Sequence, residues 1–182
     1  MIWYSQPWRT DKNLVAYYNG FMDLIGENDW ACFTDADAMF TTHGYGTQIE
    51  DYIKSFPDYS CFLGVTSRIG GERQKVEIGL EDDHDIKKHR IKGAQMMGWE
   101  KGPEDFTAPK PHHFSGVCMV LSKKAWEQVG GFRSYDGKSN ILGIDTALHQ
   151  DLFDAGLKSM IMNDVYLYHW YRGDGKGKGH LE

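Results

Sequence analysis

Phe33-Thr34-Asp35-Ala36-Asp37-Ala38-Met39-Phe40 is the stretch on which the fold turns. The run before it, Trp30-Ala31-Cys32-Phe33-Thr34, is short and apolar and predicts a buried strand over 30–34. That strand stops on two carboxylates. In open α/β sheets, ligands bind beyond the carboxyl ends of strands. Residues two apart on a strand point to one side, so Asp35 and Asp37 are expected to converge on a single cation. Hard oxygen donors suit Mg²⁺ or Mn²⁺, which keep positions open for phosphate oxygens and water. An isolated Asp-x-Asp is equally what a solvated strand edge looks like. The rest of the chain has to decide between the two.

Upstream, residues 2–4 predict a short strand and 5–11 a loop containing Pro7. A helix is expected over 12–25, because Leu14, Tyr17, Tyr18, Phe21 and Ile25 follow helical spacing. Thr10 or Asp11 would cap it and Gly26 would stop it. Downstream, Thr47 and Glu50 form a Thr-x-x-Glu capping box for a helix that Pro57 ends. Residues 60–66 predict a strand. Residues 70–113 are polar, with a helix expected over 85–98. They read either as a substrate-specific insertion or as a solvated excursion.

Order returns with a buried strand over 115–121. Ser122 is expected to cap a short helix closed by Gly130-Gly131. Asp145 would open another helix, with Leu148, Leu152 and Ala155 on one face and Gly156 as its C-cap. Residues 159–169 supply strand material ending at His169. Alternating strands and helices imply an α/β sandwich with a mainly parallel central sheet. Residues 1–172 are expected to form a single domain, and the Gly/Lys-rich segment 173–182 a flexible tail.

The 182 residues suffice for one ordinary domain, and 41% hydrophobic with 25% charged residues are globular values. A formal charge of −6 disfavours a general nucleic-acid binder, which carries a basic surface. It does not exclude an anionic ligand, since a bound cation supplies positive charge locally. No run approaches the roughly 20 apolar residues that cross a bilayer, and no signal peptide is visible. A cytoplasmic protein is expected, with peripheral membrane association left open. Cys32, Cys61 and Cys118 lie in apolar runs and read as buried free thiols, without disulfide or zinc spacing.

Three later segments stand in a telling order: Gly116-Val117-Cys118-Met119-Val120-Leu121, then Val129-Gly130-Gly131-Phe132, then Gly143-Ile144-Asp145 with a helix ending Asp154-Ala155-Gly156. They close with Tyr166-Leu167-Tyr168-His169-Trp170. Together with Asn13, Asn19 and the acidic pair, this order resembles glycosyltransferase family 2 and its GT-A relatives over roughly residues 11–172. The resemblance implies a GT-A fold and transfer, with inversion, of one sugar from a UDP- or GDP-sugar to a glycan or lipid-linked acceptor. It makes Asp37 a direct metal ligand, Asp35 a ligand or a contact to the donor's ribose, and His169 the residue that completes a Mn²⁺ or Mg²⁺ site. It makes Asp145 the general base, in agreement with a carboxylate at a helix N-terminus, where the dipole favours the ionised form. Arg9, Asn13, Ser115 and Gly116 would line the nucleotide-sugar site. His112 and His113 would face the sugar, or are a chance pair in a loop.

The chain also departs from the family. The nucleotide-binding half is expected to be shortened to residues 2–7, Ile144 stands where an acid often precedes the base, and no Gln-x-x-Arg-Trp motif follows Asp145. A processive synthase is therefore not expected. Two rivals remain: an inactive nucleotide- or sugar-binding relative, and a haloacid-dehalogenase-type phosphatase with Asp35 as nucleophile. The phosphatase pattern continues with Thr or Val where this chain has Met39.

Overall fold

Apolar runs become strands and amphipathic runs become helices, largely where the residue pattern puts them. The computed structural model describes residues 1–7, 11–69, 72–97, 102–107, 114–137 and 140–170. Arg9, His112, His113 and the tail 173–182 lie outside the described residues. The order is β1 (Ile2–Ser5), α1 (Leu14–Leu24), β2 (Trp30–Thr34), β3 (Ala38–Phe40), α2 (Tyr45–Ser55) and β4 (Tyr59–Thr66). A 3-10 turn (Glu72–Gln74), α3 (Ile86–Met96) and β5 (Glu104–Asp105) follow. The chain continues with β6 (Cys118–Ser122), α4 (Lys123–Gln128), α5 (Ile144–Asp154) and β7 (Lys158–His169).

Helix boundaries depart from expectation where another group does the capping. Asn13, not Thr10 or Asp11, caps α1, its side-chain oxygen accepting from the Ala16 N–H. Thr47 does not cap α2: the helix has already begun at Tyr45, and its N-cap, Gly44, has no side-chain bond to give. Ser122 does cap α4, accepting from the Ala125 N–H at 3.1 Å. Gly143, with φ of 74°, caps α5 in the left-handed conformation, leaving Asp145 inside the first turn.

The strands form one sheet in the order β1-β2-β6-β4-β7-β3, with β5 beside β7. It is mixed, not mainly parallel. The β1–β2 and β4–β7 pairs are parallel, while β2–β6, β4–β6, β3–β7 and β5–β7 are antiparallel. The excursion after β4 explains the difference. It leaves β4 at Thr66, sets β5 beside β7 on the way, and enters β6 at Cys118, which pairs with Thr34 at the same end of the sheet. A chain that re-enters at the end it left must run back, so β6 opposes both neighbours. Strands β1, β2, β4 and β7 nonetheless share one direction, and their carboxyl ends lie along one edge.

Side chains alternate across the sheet and feed two apolar clusters. Cys61, Leu63 and Val65 of β4 join Tyr18 and Met22 of α1, Ala125 of α4 and Leu148 and Leu152 of α5. Phe62 joins Ile49 of α2, Val120 and Leu167 on the opposite face. All three cysteines are free and buried, as their neighbourhoods predicted. Among the described residues, no helix is long and apolar enough to cross a membrane.

The Gly130-Gly131-Phe132 turn owes its shape to one side chain on α1. Asn19 accepts from the Trp126 indole N–H at 2.9 Å and the Phe132 N–H at 2.7 Å, and donates to the Phe132 carbonyl at 2.9 Å. Gly131 has φ of 91°, and a Cβ there would lie 3.0 Å from the Asn19 amide oxygen. Glycine is needed both for the backbone conformation and for the close approach. Replacing Asn19 by Ala strands two N–H donors, and we expect a loss of about 2–4 kcal/mol in urea denaturation.

Candidate functional site

The acidic pair lies at the carboxyl edge of the sheet, but not on a strand. β2 ends at Thr34, and Asp35-Ala36-Asp37-Ala38 is a turn closed by the Ala38 N–H donating to the Asp35 carbonyl at 3.0 Å. The two carboxylates therefore do not converge through strand alternation. They converge because β3 then pairs antiparallel with the end of β7, setting Ala38 opposite His169. The Trp170 N–H donates to the Asp37 carbonyl at 3.0 Å and extends that pairing by one step.

His169 is buried, with 4% of its side chain exposed, whereas Asp35 and Asp37 keep 41% and 47%. Its Nε2 lies 3.5 Å from Asp35 Oδ2 and 3.3 Å from Asp37 Oδ1. Its Nδ1 lies 3.0 Å from the Arg68 carbonyl oxygen. A carbonyl only accepts, so Nδ1 carries the proton and gives it to Arg68. Nε2 is left facing the two carboxylates, and a ring held at Nδ1 by a backbone carbonyl is the arrangement in which imidazoles ligate metals.

One donor atom from each of Asp35, Asp37 and His169 falls within 4.8 Å of the others. The separations of 3.3 and 3.5 Å are long for charge-assisted hydrogen bonds, which run to about 2.7–2.9 Å. Two donors bound to one cation at about 2.1–2.2 Å lie roughly 3.0–3.6 Å apart at bond angles of about 90–110°. The two spacings from His169 and the oxygen-rich donor set are compatible with a hard divalent cation, which this group could hold.

Asp145 stands in the first turn of α5. Its Oδ2 accepts from the Gly116 N–H at 3.1 Å and its Oδ1 from the Thr146 N–H at 2.8 Å. It is also close enough to raise the pKa of Asp35. That carboxyl is pushed from 3.8 up to about 6, first by desolvation, then against the opposing pull of His169 by the like charges of Asp37 and Asp145. Asp35 is thus partly open to solvent at its tip yet crowded by protein and by charge of its own sign.

Two further residues support this region that the residue pattern did not single out. Gln74, 2% exposed, donates to the carbonyls of Gly64 at 3.0 Å and Ser115 at 3.2 Å, and accepts from the Ser115 N–H at 2.7 Å. It ties Ser115-Gly116, and through Gly116 the Asp145 carboxylate, to β4. Tyr18 packs at a tilt against Phe33 and Phe132, with ring centroids 4.6 and 5.1 Å apart. Its phenol pKa is raised by burial and then by Asp35 and Asp145, so the ring belongs to the same region. Gln74 follows a polar stretch and carried no pattern, while Tyr18 was hidden within a helix stripe.

Of the expected donor-site residues, Ser115 and Gly116 are joined to Asp145 through the contacts above. Asn13 spends its side-chain oxygen on capping α1, at 3.0 Å from the Ala16 nitrogen. Arg9 is outside the described residues. No protein-family model matches the chain, and no curated protein matches its sequence.

The raised Asp35 value carries a definite sign. A carboxyl that is harder to ionise when folded costs stability fully above its folded value near 6, and costs nothing below its unfolded value of 3.8. In chelator, Asp35→Asn is expected to melt higher than the parent at pH 7.5, with the gap closing as pH falls from about 6 to about 4. Equal melting temperatures at pH 7.5 would show that the carboxylates do not crowd one another.

Proposed function

We propose that the chain is a divalent-cation-dependent glycosyltransferase that moves one sugar from a UDP- or GDP-sugar to a hydroxyl of a glycan or lipid-linked acceptor. The observation that carries this is the meeting of Asp35, Asp37 and His169 at the carboxyl edge of the sheet, with the Asp145 carboxylate near enough to raise the Asp35 pKa. The order of motifs along the chain supports it: the acidic pair, the Gly116 strand, the Gly-Gly-Phe turn, the Asp145 helix and the final histidine.

Asp35, Asp37 and His169 would hold the cation, which when bound supplies positive charge to a departing diphosphate. Asp145 is fixed by two backbone N–H donors in the first turn of α5, where the helix dipole favours its ionised form. In the proposed step it takes the proton of the acceptor hydroxyl as that oxygen bonds to the anomeric carbon. The bond from that carbon to the diphosphate oxygen breaks, and the diphosphate leaves with the bonding pair. Gln74 keeps the Gly116 N–H in place and so restricts the base to one orientation.

The test is a calorimetric panel of UDP- and GDP-sugars, with and without Mn²⁺, followed by turnover assays. Asp37→Ala is expected to lose Mn²⁺-supported nucleotide-sugar binding. Asp145→Asn is expected to bind donor within about twofold of the parent while transfer falls at least about 100-fold. Binding with no turnover in the parent would identify an inactive relative. Metal-dependent release of inorganic phosphate from a simple phosphate ester would favour phosphatase chemistry.

A further inference from the structure

Immediately after His169, the chain exposes an indole that is held rather than loose. Trp170 keeps 40% of its surface exposed. Its backbone N–H is bonded to the Asp37 carbonyl at 3.0 Å, so its position is set by the acidic turn itself. Its ring lies against His84, with centroids 4.1 Å apart and planes inclined by 37°. His84 is fixed in turn: Nδ1 lies 2.9 Å from the Tyr168 hydroxyl and Nε2 lies 3.4 Å from an Arg68 guanidinium nitrogen. A guanidinium only donates, so Nε2 accepts and Nδ1 donates to Tyr168. The imidazole is clamped at both nitrogens, and the indole rests on the clamped ring.

Single exposed apolar side chains are ordinary on protein surfaces. This one differs in being anchored at its backbone to a candidate metal ligand and supported across its ring. The His84 behind it is bonded to Arg68, which is 24% exposed and meets the fully solvated Asp82 at 3.8 Å. A flat apolar face beside charged hydrogen-bonding groups complements a ring that has C–H groups on one face and hydroxyls at its edge. That is the chemistry of a pyranose. Arg68 also connects the two features, since its carbonyl orients His169 while its guanidinium bonds to His84.

We propose that Trp170, backed by His84, is a stacking platform for a pyranose ring on the flank of the acidic cluster. The assignment rests on the glycosyl-transfer function, which puts sugars at this edge. The ring belongs either to the donor or to a glycan acceptor, and the test separates the sources. Parent chain, Trp170→Ala, Trp170→Phe and His84→Ala are compared by calorimetry with Mn²⁺ plus UDP or GDP, then with Mn²⁺ plus UDP-glucose, UDP-N-acetylglucosamine or GDP-mannose, and on a printed glycan array. Circular dichroism checks that each variant folds.

Trp170→Ala is expected to lose about tenfold in affinity for sugar-bearing ligands, with Trp170→Phe close to the parent. Binding of Mn²⁺ with the sugar-free nucleotide stays unchanged. Loss confined to the nucleotide-sugars assigns the platform to the donor, and loss confined to the array assigns it to the acceptor. Equal sugar binding in parent and Trp170→Ala overturns the proposal, as does a loss that is the same for UDP and for UDP-glucose. A parent that binds glycans but no nucleotide would remove the transferase function while leaving the platform to stand or fall on the array alone. A parent that binds neither overturns both.

Discussion

The short antiparallel pairing of β3 with the end of β7 is the contact on which the site depends. It is only three residue pairs long, ending with Ala38 opposite His169. Without it, Asp35 and Asp37 are two acids on a turn, with nothing to distinguish them from solvated surface. With it, a buried imidazole from the far end of the chain faces both carboxylates. The directions of the longer strands make this possible. β2, β4 and β7 end along one edge, and each contributes there: β2 leads into Asp35, β4 leads into the Arg68 carbonyl that fixes the imidazole tautomer, and β7 ends on His169 itself.

Asp145 reaches the same edge by a different route, and Gln74 is what makes that route firm. The long excursion after β4 would ordinarily leave its return segment loosely placed, since extended loops carry few constraints of their own. Here a buried amide bridges β4 and Ser115 with three hydrogen bonds. The bridge needs close strands. A Cβ on Gly64 would lie 2.6 Å from Leu167 and 3.0 Å from Cys118, so glycine lets β4, β6 and β7 approach closely beside Gln74. The loop N–H at Gly116 then meets Asp145 at 3.1 Å. The orientation of the carboxylate is thus traceable to a glycine and a glutamine that neither bind nor react.

The sequence exposed those parts of the fold that local periodicity controls. Trp30–Thr34 and Lys158–His169 follow from apolar runs, α1 and α5 from helical stripes, and Ser122 from its side-chain chemistry. What it concealed depends on contacts between distant segments. The three residues of β3 carry no strand pattern of their own and become a strand only against β7. The direction of β6 depends on where the excursion returns, which no window of residues encodes. The same holds at the site. Asp35, Asp37 and His169 were visible as chemical types at the ends of apolar runs, but the Arg68 carbonyl has no residue-type signature. That Asn13 caps α1 was likewise concealed, because an N-cap and a ligand-binding amide are the same side chain until the helix start is known.

Charge separates this edge from a decorative acidic surface. Elsewhere among the described residues, the carboxyls whose pKa departs from the ordinary value are lowered: Asp29 by the N-terminal ammonium and Trp3, Asp83 by Lys88, and Glu81 and Asp105 likewise downward. These groups have found donors, and their ionised forms are favoured in the folded chain. Asp35 alone among them is raised, because burial and two neighbouring carboxylates outweigh His169. Folding thus brings Asp35, Asp37 and Asp145 together at the expense of stability. A chain selected only to fold would relieve that repulsion with a lysine or an amide, as it does at Asp83. The group formed by Asp35, Asp37 and His169 could hold a cation, whose charge would ease the ionisation of Asp35.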